Sequence, residues 1–231
     1  IDRIWLIDRN GLVTDDMENL PDYQEPYAKP ADKTRRWAHS NGRIGLMETV
    51  RQVHPTILIG TSTDHDAFTQ QVVEEMCREV ERPIIMPLSN PTEKIEAMPA
   101  DVIAWSKGKA LVSVGIPVAP FHYEGTRYEI GQGNNALLYP GLGLGVIVSG
   151  AERVSARMIR AAAEAVASQV DPRPAGSSLL PAVENLRASS ATVAVAVVQA
   201  AIEEGLATKK PSNVVQAVQD AMWWPHYPPV G

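Results

Sequence analysis

Four short aliphatic runs, each ending in a small or polar residue, limit what this chain can fold into more than any other feature. Thr56-Ile57-Leu58-Ile59 stops at Gly60, Pro83-Ile84-Ile85-Met86-Pro87-Leu88 at Ser89, Ala110-Leu111-Val112-Ser113-Val114 at Gly115, and Ile4-Trp5-Leu6-Ile7 at Asp8. Between them lie amphipathic stripes: Leu46, Met47, Val50 and Val53, then Phe68, Val72, Met76 and Val80 at four-residue spacing. Apolar strands alternating with helices of that period predict an α/β fold, a mostly parallel sheet covered on both faces. Ligands of such sheets bind at the carboxyl ends of the strands. Asp8, Gly60, Ser62, Asn90 and Gly115 all fall at or just after such ends, so they are expected to line one crevice.

Local punctuation supports these boundaries. Pro99 suits the first turn of a helix carrying Val102, Ile103 and Trp105, Gly108 suits its end, and Thr92 can cap the short acidic segment after it. Asn10 to Pro30 has little periodicity and reads as a surface excursion. Phe121 to Tyr128 reads as a hairpin around Glu124-Gly125. Beyond Gly150 the pattern turns helical, from Val154 to Val170 and again from about Ala191 to Glu204. The expected division is therefore a ligand-binding domain over 1–150 and a helical region over 151–231. The Trp223-Trp224-Pro225-His226-Tyr227-Pro228-Pro229 end is too apolar for a free tail and is expected to pack on its own domain or on a partner subunit.

Composition narrows the function classes. The chain has 231 residues, 45% hydrophobic and 21% charged, enough for a substantial core, and a formal net charge of -6 with no block of Lys or Arg. That argues against a nucleic-acid surface, which needs clustered cations. The one cysteine, Cys77, excludes an internal disulfide and a cysteine-based zinc cluster, and points to a reducing compartment, the cytoplasm. No run of apolar residues is read as a membrane span; the stretch from Leu137 to Val148 is interrupted by Pro140 and glycines. The chain opens at Ile1 directly before a strand that reads as buried, so a first strand-helix unit is expected to be missing from it.

Two asparagine-bearing runs carry most of the chemistry: Leu88-Ser89-Asn90-Pro91-Thr92, and Gly131-Gln132-Gly133-Asn134-Asn135. A carboxamide offers an acceptor and two donors without charge, which suits a small polar metabolite. Asn90, held before a proline, reads either as a ligand contact or as an Asx-turn closing its own loop. Asn134 and Asn135 read either as a tight turn or as ligand contacts beside a helix start whose N–H groups suit a carboxylate. Asp8 occupies the place of an acid that accepts hydrogen bonds from an adenine ribose, or else closes a turn. Asp64-His65-Asp66 reads as helix-capping acids, not as a metal set, and Lys33-Thr34-Arg35-Arg36 as a solvated helix face. The remaining histidines show no ligand spacing, and Cys77 reads as packing or partly buried surface.

The combination Leu58-Ile59-Gly60-Thr61-Ser62, Ala67-Phe68-Thr69, Arg82-Pro83-Ile84-Ile85, Leu88-Ser89-Asn90-Pro91-Thr92, Gly131-Gln132-Gly133-Asn134-Asn135 and Pro140-Gly141-Leu142-Gly143-Leu144-Gly145 resembles the nicotinamide-cofactor domain of malic enzymes. Ile4 to Val13 resembles that family's second strand and following turn. The resemblance implies a Rossmann-like doubly wound sheet and oxidative decarboxylation of malate to pyruvate and carbon dioxide with NAD or NADP and a Mg or Mn ion. Position by position, it implies that Asn90 contacts malate or the nicotinamide ribose and that Asn134 and Asn135 contact malate. It also implies that Gly60, Thr61 and Ser62 lie near the cofactor and that Asp8 serves the adenosine ribose. The family's metal carboxylates, catalytic lysine and tyrosine, and glycine-rich pyrophosphate loop are expected upstream of Ile1. No catalytic or metal residue is therefore expected within this chain, and alone it is expected to be inactive. A homo-oligomer is implied.

His65 and Asp66 stand where relatives carry small residues, and Gly115-Ile116-Pro117-Val118 stands where many have Gly-Ser-Pro-Phe. Both departures bear on substrate and cofactor choice, and the acid at Asp8 favours NAD. Two other outcomes stay open: a malolactic enzyme, turning malate into lactate, and a non-catalytic dinucleotide-binding or oligomerisation module.

Overall fold

The computed structural model describes residues 2–37 and 42–224. Its strands are β1 (Ile7–Asp8), β2 (Gly11–Leu12), β3 (Ile57–Gly60), β4 (Ile84–Pro87), β5 (Leu111–Val114), β6 (Phe121–Tyr123), β7 (Thr126–Tyr128) and β8 (Gly131–Gln132). Its helices are α1 (Ala31–Thr34), α2 (Leu46–Val53), α3 (Gln70–Glu79), α4 (Pro99–Trp105), α5 (Tyr139–Ser149), α6 (Ala156–Ala167), α7 (Leu186–Glu203) and α8 (Val214–Ala221). One sheet has the order β3-β4-β5-β8, and β1-β2 and β6-β7 form separate two-stranded ladders. The chain divides into two compact units, Ile1–Val112 with Tyr123–Gly125, and Ser113–His122 with Thr126–Gly231.

In the first unit, β3 and β4 pair in parallel from Ile57↔Ile84 to Gly60↔Pro87, and β4 pairs in parallel with β5 at Ile84↔Leu111 and Ile85↔Val112. These are the aliphatic runs read from the sequence, within a residue at each end. Leu58, Ile85 and Val112 are buried, as are Val72, Val73 and Met76 of α3 and Val102 and Ile103 of α4. Each such side chain contributes roughly 1.5–3 kcal/mol by leaving water. The Thr69 hydroxyl accepts from Val72 N and starts α3, and Pro99 opens α4 where its missing N–H costs nothing. Between α2 and α3, Glu75 receives Arg51 at 3.8 Å and Arg78 at 2.9 Å.

Two expectations about this unit change. The first run does not enter the parallel sheet: β1 pairs antiparallel with β2 at Ile7↔Leu12 and Asp8↔Gly11, and Ile4 is 50% exposed. The turn at Gly11, with φ +104°, returns the chain so closely that a Cβ there would lie 2.5 Å from Ile44 O. Leu12 and Val13, inside the stretch read as a surface excursion, carry the burial instead. Nor is the parallel sheet covered on both faces at β3. Leu58 is buried while Ile57 and Ile59 are 50% and 58% exposed among the described residues.

The second unit is built around α7, whose Val193, Ala194, Val197, Val198 and Ala201 have no exposed surface. It packs on α5, α6 and α8. Contrary to the sequence reading, α5 runs unbroken from Tyr139 to Ser149, because Pro140 sits in its first turn and Gly141 and Gly145 face α7. The stretch Val183–Glu203 is long and apolar enough by composition to cross a membrane, a property the sequence reading overlooked, yet its apolar residues form this unit's core. The helix begins at Leu186, five residues before the expected start. At the far end Arg187 lies 3.7 Å from the Trp224 ring centroid and donates to Trp223 O at 3.0 Å. Pro225 to Pro229, the rest of the apolar end, lie outside the described residues, as do His39 and His226.

Candidate functional site

Parallel pairing brings the carboxyl ends of β3 and β4 to the same level, with Gly60 opposite Pro87 and Leu88 N donating to Gly60 O at 2.9 Å. The chain leaves β3 as Thr61-Ser62-Thr63 and leaves β4 as Ser89-Asn90-Pro91, with a cis peptide between Asn90 and Pro91. One buried carboxylate ties the two loops together. Glu96 has no exposed surface, and its Oε1 accepts from Ser62 N at 2.7 Å, Ser62 Oγ at 2.8 Å and Ser89 Oγ at 2.5 Å, while its Oε2 accepts from Ser89 N at 3.2 Å.

The polarity of this network is fixed from its rim. Thr63 N donates to Ser89 Oγ at 2.9 Å and Asp64 N donates to Ser62 Oγ at 3.1 Å. Each hydroxyl accepts from a backbone N–H and so donates its own hydrogen bond to the carboxylate. Burial pushes the Glu96 carboxyl up, but the hydrogen bonds from Ser89 and Ser62 outweigh it and hold the group below the usual carboxylate range. Gly60 makes room for it: a Cβ there would lie 2.6 Å from Glu96 Cδ and 2.8 Å from its Cγ. Backbone bonds extend the frame, from Phe68 N to Glu96 O at 2.9 Å and from Asp66 N to Ile95 O at 3.2 Å.

On this frame Thr61, Ser62, Thr63 and Asn90 stand exposed. The Asn90 carboxamide makes no hydrogen bond among the described residues, so it does not close an Asx-turn. Thr61 and Asn90 thus offer neutral donors and acceptors at the carboxyl ends of two parallel strands, where a doubly wound sheet takes its ligand. Asp8 does close a turn, accepting from Asn10 N at 2.7 Å through Oδ1. A carboxylate has about four lone-pair sites, so that bond leaves acceptor capacity over.

The second asparagine run belongs to the other unit. Ser113↔Gly131 and Val114↔Gln132 pair in parallel, Gly133 N donates to Val114 O at 2.7 Å, and Gln132 Nε2 donates to Gly115 O at 3.2 Å. Gly131 is obligatory, since a Cβ would lie 2.6 Å from Ser178 Oγ and 2.9 Å from Leu180 N. Asn134 and Asn135 are both exposed, and Asn134 Oδ1 accepts from Ala136 N at 2.9 Å. They open a three-residue 3-10 turn, Asn135–Leu137, and α5 starts only at Tyr139, so the expected helix start lies farther along the chain.

Other candidates resolve simply. Asp64 and Asp66 do not cap α3, whose cap is Thr69; the His65 ring sits 3.1 Å from Ile95 O and 3.4 Å from Asp66 Oδ2. Among the described residues no group of three or more His, Cys, Asp or Glu side chains could hold a metal ion. Arg35 pairs with Asp16 on the surface. Glu96 was missed, because the stretch after Thr92 reads only as a short acidic helical segment. The available sign was an acid set between Ile95 and Ala97, both of which are buried.

The family described as malic enzyme, NAD binding domain, matches residues 1–202. The chain is 51% identical over 230 residues to NAD-dependent malic enzyme 3 of Bacillus subtilis, covering 99% of this chain and 41% of that protein. It is 50% identical over 227 residues to a putative malate oxidoreductase [NAD] of Mycobacterium tuberculosis, covering 98% of this chain and 41% of that protein. It is 45% identical over 223 residues to a malolactic enzyme of Lactococcus lactis, covering 96% and 41%. Among solved structures, malic enzyme from Pyrococcus horikoshii shares the fold with a TM-score of 0.66 at 24% identity, covering 91% of this chain and 43% of that one. The chain therefore spans about two fifths of the length of these curated relatives.

Proposed function

This chain belongs to the family of malic enzyme NAD-binding domains, and from that premise we propose that it serves NAD-dependent oxidative decarboxylation of malate to pyruvate and carbon dioxide. The observation that carries the proposal is the exposed Asn90 carboxamide on a loop that Glu96 ties to the Gly60–Ser62 loop. The polar groups fit a dinucleotide: Thr61 flanks the cofactor at the end of β3, with Gly60 and Ser62 beside it, Asn90 reaches the nicotinamide ribose or malate, and Asp8 serves the adenosine ribose with its remaining acceptor sites. Asn134 and Asn135 contact malate. When bound, NAD supplies the hydride acceptor.

The chain's own residues bind and orient. A carboxamide donates to a malate carboxylate oxygen and accepts from a hydroxyl, fixing the substrate without adding charge that would compete with the nicotinamide cation. The proposed contacts all fall within the expected ligand-binding domain over 1–150. The protein acts in the cytoplasm, as a homo-oligomer.

The identity to a malolactic enzyme keeps a second outcome in view. Supplying the gene-encoded polypeptide with malate, NAD and Mg or Mn distinguishes the readings. The proposal expects pyruvate and reduced NAD in equal amounts. Lactate with no net reduction of NAD would instead mark malolactic chemistry, and neither product would leave a non-catalytic dinucleotide or oligomerisation module.

A further inference from the structure

Resting on the cofactor reading above, we propose that Glu96 is the positioning residue of this site, locking the Thr61–Thr63 and Ser89–Asn90 loops into one frame so that Asn90 meets its ligand pre-oriented. Glu96 is fully buried, lies outside both ligand-facing motifs and touches no solvent, so its place is behind the contacts and not among them. Ser62 and Ser89 each give it both a backbone N–H and a hydroxyl. The same hydroxyls receive Asp64 N and Thr63 N, so the two loops share one carboxylate and brace each other. Asn90 is the next residue after Ser89. Freedom at Ser89 therefore becomes freedom at Asn90.

A carboxylate is required by the count of donors. An amide in the same volume can accept at one position only, and its NH2 would face a backbone N–H or a hydroxyl that already donates. Glu96→Gln keeps the packing and breaks the frame. A displacement of about 1 Å at a positioning contact can cost up to about a hundredfold in rate.

The test compares Glu96→Gln with Val73→Ala, a core truncation on α3 in the same unit, both in the gene-encoded polypeptide. Well below the melting temperature, Glu96→Gln is expected to raise the KM for NAD and malate and lower kcat, each by roughly tenfold or more. It is also expected to speed hydrogen exchange at the amides of Ser62, Thr63, Asp64 and Ser89. Val73→Ala should lose melting temperature while moving none of these. Ser89→Ala, which removes one hydroxyl from the network, repeats the pattern more weakly and serves if Glu96→Gln does not fold. If Glu96→Gln lowers only the melting temperature, with exchange at those amides and the kinetic constants unchanged, the positioning role is overturned. If exchange speeds up as expected but the unaltered protein neither binds NAD nor turns over malate, the loop lock stands and the cofactor reading falls.

Discussion

Adding a single methyl group at successive glycines of α5 should give opposite results, because those glycines differ in what surrounds them. Ordinarily Gly→Ala in a helix interior gains about 0.8–1.0 kcal/mol of propensity. Gly143 is exposed with nothing within 4 Å of an added Cβ, so Gly143→Ala should gain that amount. At Gly145 the Cβ would lie 2.6 Å from Val197 Cβ and 3.0 Å from Ala194 O, and at Gly141 it would lie 2.5 Å from Val193 Cβ and 2.7 Å from Ser190 O. Those partners are backbone atoms or are bonded directly to it, so no rotamer change relieves the overlap and α5 must move off α7. Overpacking of this kind costs about 1–3 kcal/mol, enough to cancel or exceed the propensity gain. Calorimetric melting of the three variants checks it: Gly143→Ala should melt higher than the parent, and Gly141→Ala and Gly145→Ala lower. Equal stabilisation by all three would refute the close approach of α5 and α7.

Further outcomes follow from the first unit. Asn90→Ala should cut malate turnover by roughly ten- to a hundredfold while leaving the melting temperature unchanged, since the side chain is exposed and makes no hydrogen bond among the described residues; unchanged steady-state kinetics would contradict its role. Glu96, held below the usual carboxylate range, stabilises the fold fully above the unfolded value of about 4.3 and loses that contribution as pH falls through the lower folded value. Urea unfolding across this acid range should therefore show a shallower pH dependence in Glu96→Gln than in the parent, and identical slopes would refute it. Burial raises the Cys77 thiol pKa, with Lys109 acting against it, so alkylation at neutral pH should be slower than that of a free cysteine; alkylation as fast as a free thiol would place Cys77 elsewhere.

Much of this was readable from residues because the period of apolar positions reports local structure directly. The runs at Ile57, Ile84 and Leu111 became β3, β4 and β5, and the Leu46 and Val72 stripes became α2 and α3. What escaped depends on contacts distant in sequence. Ile4 to Ile7 has the composition of a buried strand, yet the return at Gly11 against Ile44 turns its end into an antiparallel ladder. The glycines of α5 read as breaks because their value lies in the facing Val193 and Val197, which no local pattern announces. Glu96 escaped for the same reason: its hydrogen-bond partners Ser62 and Ser89 lie 34 and 7 residues away, and only the parallel pairing of β3 and β4 brings them to one carboxylate. Asn90 was legible as a candidate, but the absence of an internal partner, which separates a ligand contact from a turn closure, needed the structure.

The most direct test is a crystal structure of the gene-encoded polypeptide grown with NAD and malate. The account predicts the Asn90 carboxamide within about 3.2 Å of the nicotinamide ribose or of malate, and the Asn134 and Asn135 side chains within the same reach of malate. A dinucleotide bound away from the carboxyl ends of β3 and β4, with Asn90 facing only solvent, would contradict it.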